Sequence, residues 1–293
     1  MPTKIEKDEV TGVETTGHEW DGIRELNNPL PKWWVYTFYV SVAYAVIWWV
    51  LFPAIPFGPS ATGGLTGSET RDRVLAEIER VEAERATVRQ RLVGAELSYI
   101  QDDPTLFTYA LTGGRIAFGD NCAPCHGVGG TGQLSYPVLA DDDWIWGGTI
   151  EDIQHTIQWG VRWPDFEFDT RFAMMPAFGA DGILTREEVD QVVDFVLAMS
   201  GRADEADPDL IEAGAEVYEW NCASCHGDGG EGMHVMGAPA LNNQIWLFGG
   251  EREQIWQQIW NPRHGVMPGF AERLDEATIK MLAVYVHALG GGQ

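Results

Sequence analysis

Cysteine is scarce in this chain: 293 residues hold four. All four, Cys122, Cys125, Cys222 and Cys225, lie in two short motifs, so none is left over for a structural disulfide or a stray reactive thiol. Basic residues are also few, with 19 Lys and Arg against 44 Asp and Glu, for a net charge of −25. That balance argues against nucleic acid as a partner, because its binders carry basic patches. It leaves a cationic partner or simply a well-solvated acidic surface. Long hydrophobic runs are missing apart from one near the amino terminus. The apolar fraction is an ordinary 45%, sufficient for packed cores, and the length suits about two domains.

The cysteines sit in "NCAPCHGVGG" (121–130) and "NCASCHGDGG" (221–230), which differ at only two positions and lie 100 residues apart. A CxxC pair is open to three readings: a redox dithiol, half of a zinc site, or a haem c attachment site. His126 and His226 directly follow the second cysteine each time, and that residue decides. Two sulfurs can form thioethers to the haem vinyl groups while the adjacent imidazole lies under the iron. A dithiol site needs no such histidine, and a zinc ribbon would bring its CxxC pairs within about 15–20 residues of each other. The expected cofactors are therefore two covalently attached haem c groups, with Cys122, Cys125, Cys222 and Cys225 as anchors and His126 and His226 as iron ligands.

The repeat extends beyond the cysteines. Gly114 and Phe118 match Gly214 and Tyr218, and the spacing of four puts each pair on one face of a helix leading into the motif. "YPVLADDDWIWGG" (136–148) parallels "APALNNQIWLFGG" (238–250), and "LTREEVDQVVDFVLAMSG" (184–201) parallels "LDEATIKMLAVYVHALGG" (274–291). In the last pair Val189, Val192 and Val196 align with Ile279, Leu282 and Val286, a stripe that predicts an amphipathic helix closing each haem site. Just before that helix each repeat holds a Met-Pro pair, Met175-Pro176 and Met267-Pro268. Thioether opposite imidazole raises a haem potential, so Met175 and Met267 are the expected second iron ligands. Met174, Met233, Met236, His155, His234, His264 and His287 stand as rivals, His264 foremost because it lies three residues before Met267.

The order CxxCH, Gly-rich loop, Met-Pro and terminal helix resembles class I cytochrome c domains, over about 104–201 and 202–293. The resemblance implies a mainly α-helical fold around each haem. It also implies that the Pro137 and Pro239 carbonyls orient the proximal histidines.

Residues 33–52, "WWVYTFYVSVAYAVIWWVLF", carry no charge and are long enough for one membrane-spanning helix, with tryptophans toward both ends. A cleaved export signal would have a shorter apolar core and small residues at its cleavage site. The remaining boundaries are 1–32 as a cytoplasmic segment and 53–103 as a Pro/Gly/Ser-rich linker followed by a helix at about 69–98. Val74, Ile78, Val81, Val88 and Leu92 stripe that helix; it packs on the first haem domain or near lipid, or docks a partner subunit.

"EWDGIRELNNPLPKWWVYTFYVSVAYAVIWWVLFPAIP" (19–56) is similar to the amino-terminal segment of the membrane-anchored dihaem subunit of cbb3-type cytochrome c oxidases. This resemblance implies a single-pass protein of the bacterial inner membrane with its haem domains in the periplasm. It implies three electron-transfer partners: a periplasmic donor cytochrome c, a monohaem cytochrome c subunit, and the haem–copper catalytic subunit that reduces oxygen. A free-standing dihaem carrier and a dihaem peroxidase are the alternatives. Acidic clusters at Asp141, Asp142 and Asp143 and at Asp165, Glu167 and Asp169 are expected to steer a cationic donor.

Overall fold

In a computed structural model the described residues are 4–292, apart from 53–54, 59, 62, 67–69 and 167–168. Parts of the expected linker and Glu167 lie outside them. The chain divides into two compact units, Met1–Glu84 and Arg85–Gln293.

The first unit begins with an antiparallel hairpin of β1 (Thr15–Trp20) and β2 (Ile23–Leu26). Asp21 and Gly22 both take positive φ at its tip, the conformation that a two-residue hairpin turn needs. Helix α1 (Lys32–Leu51) follows and buries none of its residues. A helix that is apolar all round is either a core helix or a membrane span; α1 is the one helix among the described residues long and apolar enough to cross a membrane. Helix α2 (Thr70–Gly94) continues into the second unit. Its stripe is buried only at the carboxyl end: Leu92 is inaccessible and Val88 packs beside it, while Val74 and Ile78 are exposed.

The second unit is helical, with α3 (Leu97–Asp102), α4 (Pro104–Asn121), α5 (Ala123–His126), α6 (Ile150–Trp159), α7 (Arg186–Met199), α8 (Pro208–Asn221), α9 (Ala223–His226), α10 (Arg252–Trp260) and α11 (Glu276–His287). Repeated local chemistry starts the paired helices. Asp103 and Asp207 cap α4 and α8, each followed by proline in the first turn, where a missing N–H costs nothing. Thr185 and Asp275 cap α7 and α11.

The helices do not pack in the order of the sequence repeats. α4 packs against α11, and α8 packs against α7. One core joins Phe118, Ile153, Ile157, Ile279 and Leu282 with Leu92 and Leu106. The other joins Tyr218, Val189, Val192, Val196, Ile255 and Ile259. Each repeat has therefore given its last helix to the other repeat's core. The stripe residues are buried as the sequence predicts, but on exchanged partners. Glycine makes both crossings possible. A Cβ at Gly114 would lie 2.2 Å from the Met281 carbonyl oxygen, and one at Gly214 would lie 2.1 Å from that of Gln191. Beside each glycine an aromatic pair fills the crossing, Phe118 with Tyr285 and Phe195 with Tyr218, at centroid separations of 5.3 and 5.2 Å. Asp194, fully buried on α7, receives the Arg252 guanidinium of α10 and the Asp207 backbone N–H ahead of α8; no sequence pattern marks it.

Candidate haem-binding sites

Both CxxCH motifs fold alike. The first cysteine ends the long helix, and a single turn, α5 or α9, carries the second cysteine and the histidine. Gly127 and Gly227 then leave in a positive-φ conformation. The loop curls back on itself, with the Gly132 N–H 2.7 Å from the His126 carbonyl and the Gly232 N–H 2.8 Å from that of His226. This return brings Pro137 O to 3.1 Å from His126 Nδ1 and Pro239 O to 2.9 Å from His226 Nδ1. Each Nδ1–H donates to a carbonyl, so Nε2 is left as the free base, the orienting arrangement of metal-bound histidines. Burial pushes both imidazoles below their ordinary pKa, opposed by the proline carbonyl bonds. Both rings are buried, which favours the neutral imidazole that a metal ligand requires.

Burial, with the neighbouring thiol adding, pushes the Cys122 pKa up to about 11 and that of Cys222 up to about 12. Among the described residues no three His, Cys, Asp or Glu side chains come together to hold a metal ion.

Exchange of the last helices also exchanges the methionine segments. Met267 packs on the core that contains Cys122, and Met175 on the core that contains Cys222. A cavity of about 560 Å³ opens at the second motif, and Cys222, Cys225, His226 and Met175 all line it. Val192, Val196 and Ile259 give it an apolar wall, and the volume is within the roughly 300–1,000 Å³ of cofactor sites. Trp246 lines it, with a buried Nε1–H that has no partner among the described residues. That orphan donor fits a cofactor with acceptor groups at its edge, since buried polar groups are otherwise paired. The aligned Trp144 has its donor taken by the Gly291 carbonyl.

Met174 is largely exposed, whereas Met175 is half-buried against the second core. His264 is exposed and hydrogen-bonds to the Met175 backbone. His155 lies on α6 with a buried, unpartnered Nδ1. His287 Nδ1 meets Gln101 Nε2 at 3.2 Å, and His234 is exposed. Met233 is held through its backbone to Ala238, while Met236 lines the cavity. Asp142 is exposed, but its neighbours are not free: Asp141 is half-buried, with burial pushing its carboxyl above the usual range, and Asp143 accepts a hydrogen bond from Asn243. Asp165 and Asp169 are exposed.

Two attachment motifs with oriented neutral histidines, on a mainly helical frame behind one apolar helix, define a dihaem c-type cytochrome. Family models match along the chain: the N-terminal domain of cytochrome oxidase-cbb3, FixP, at 12–59; cytochrome c at 111–200; and cytochrome c oxidase, cbb3-type, subunit III at 209–286. The chain is 48% identical over 98% of its length to the cbb3-type cytochrome c oxidase subunit CcoP of Azospirillum sp. (strain B510), covering 98% of that protein. It is 45% identical to CcoP of Cereibacter sphaeroides and to FixP of Bradyrhizobium diazoefficiens, in both cases over the full length of both chains. The chain belongs to the CcoP/FixP family of cbb3-type cytochrome c oxidase subunits.

Proposed function

We propose that this chain is the electron-entry subunit of its oxidase, with iron ligands drawn crosswise from the two repeats. His126 is paired with Met267, and His226 with Met175. The observation that carries this is the packing of each methionine on the core of the other repeat's cysteine motif. Haem c would supply a one-electron iron couple here, held by His126, Met267, His226 and Met175, and a thioether ligand would bias it toward the ferrous state. The chain's own part is to hold and dry that group. The cysteines anchor it, the Pro137 and Pro239 carbonyls fix the imidazoles, and the aliphatic faces of α7, α10 and α11 exclude water. Methionine at both sixth positions leaves no open site of the kind a peroxidase needs.

In this reading electrons come from a periplasmic cytochrome c and pass to the monohaem subunit and on to the haem–copper subunit. α1 anchors the chain in the inner membrane, residues 1–32 are cytoplasmic, and the haem units face the periplasm, where covalent haem attachment takes place. The net charge of −25 favours a cationic donor, with Asp142, Asp165 and Asp169 as exposed carboxylates.

A tag on this chain, used for mild detergent purification, should bring down the monohaem and haem–copper subunits. Recovery of the chain alone would support the free-standing carrier. With the purified complex, the second-order rate of reduction by a lysine-rich cytochrome c should fall as ionic strength rises, because the Debye length shrinks to about 8 Å at 0.15 M. A rate indifferent to salt removes electrostatic steering while leaving the assembly intact.

A further inference from the structure

Arg162 lies between the two methionine-bearing segments and touches both. It follows α6 with a φ of 53°, a strained value for a residue other than glycine. Its backbone N–H bonds to the Arg171 carbonyl at 2.7 Å, and the adjacent Val161 exchanges two 3.0 Å backbone bonds with Met267. The guanidinium then reaches in two directions. Nε donates to Gly265 O at 2.7 Å, and Nη1 donates to Ala173 O at 2.8 Å. Gly265 stands two residues before Met267, and Ala173 two before Met175. One planar fork thus ties both segments, a geometry that a lysine ammonium cannot reproduce.

The charge is as distinctive as the fork. Arg162 is half-buried and lines the cavity at the second motif. Burial is what lowers its pKa, and its guanidinium hydrogen bonds go to carbonyl oxygens rather than to a carboxylate. The Trp146 ring, 5.9 Å from its Cζ, is its other neighbour. A cation in a low-dielectric setting acts over longer range than one in water, and beside a haem held in this cavity it would favour the reduced, less positive iron.

We propose that Arg162 is a shared positioning residue: it holds Met175 and Met267 toward their irons through one guanidinium and raises both haem potentials. The inference rests on Met175 and Met267 being the sixth ligands.

The test is an equilibrium redox titration of the full-length dihaem chain in detergent, for the parent, Arg162→Gln, Arg162→Lys, Met175→Leu and Met267→Leu. Arg162→Gln should lower both midpoints together, whereas each methionine variant lowers one. Arg162→Lys keeps the charge without the fork, so both midpoints should move down by a smaller amount. If Arg162→Gln shifts one midpoint or neither while each methionine variant shifts its own, the shared role of Arg162 is overturned and the ligand assignment stands. If the methionine variants shift nothing, the ligand assignment itself has failed. Should Arg162→Gln not mature with two haems, Arg162→Lys decides by the same readout: two lowered midpoints support the proposal, and any other pattern overturns it.

Discussion

Replacing Met267 by Leu should disturb the haem held at Cys122 and Cys125 and leave the one at Cys222 and Cys225 alone. Contiguous sequence repeats would give the opposite result, because Met267 follows the second motif. Single-haem backgrounds separate the two. Cys122→Ala with Cys125→Ala leaves attachment only at the second motif. There Met267→Leu should not change the midpoint potential, and Met175→Leu should lower it on the order of 0.1 V, within the roughly 0.8 V that axial ligands command. In the complementary background, Cys222→Ala with Cys225→Ala, the two substitutions should trade effects. Loss of the absorption that reports methionine sulfur on ferric iron should accompany each fall. A shift from Met267→Leu in the first background would restore uncrossed pairing.

The attachment chemistry was legible in the sequence because it is local. Cys-x-x-Cys-His fixes sulfur and imidazole within one turn of helix, and α5 and α9 are that turn. The long apolar run and both closing helices were legible too, as uncharged length and as three-and-four periodicity. The exchange of closing helices was not. Val189, Val192 and Val196 and their counterparts Ile279, Leu282 and Val286 are nearly the same stripe, so periodicity predicts a buried face without choosing its partner. One signal was available. α7 ends at Met199 and α8 begins at Pro208, and a connection that short makes antiparallel neighbours of its two helices. α8 is thereby covered by α7, and α4 is left to α11. Arg162, Trp246 and Asp194 carry no motif. Their roles come from what the fold brings to them: two carbonyls, a cavity, and a guanidinium from another helix.

The exchange has a consequence for truncation that no reading by contiguous repeats would expect. A chain ending at Arg273 loses α11, the last helix of the second repeat, yet the first haem site should be the one that comes apart. α11 buries Ile279, Leu282, Val284 and Val286 to 4% exposure or less, all in the core around Phe118. At about 1.5–3 kcal/mol for each fully buried aliphatic side chain, the four together contribute roughly 6–12 kcal/mol, an upper estimate that is comparable with the about 5–15 kcal/mol by which a whole domain is stable. The Lys280 ammonium is lost as well, with its bonds of 2.6 and 2.9 Å to the Val93 and Ala95 carbonyls at the end of α2. The second core contains no residue beyond Trp260, so its stability should change little. Hydrogen exchange on the truncated protein should show α4 and α6 unprotected and α7, α8 and α10 near their parent protection. Both haems should stay covalently attached, since thioether bonds survive unfolding, but only the one at Cys222 and Cys225 should keep its methionine and its potential. Protection lost instead from α7 and α8, with α4 intact, would mean that α11 closes the second site and that the two repeats fold as contiguous domains.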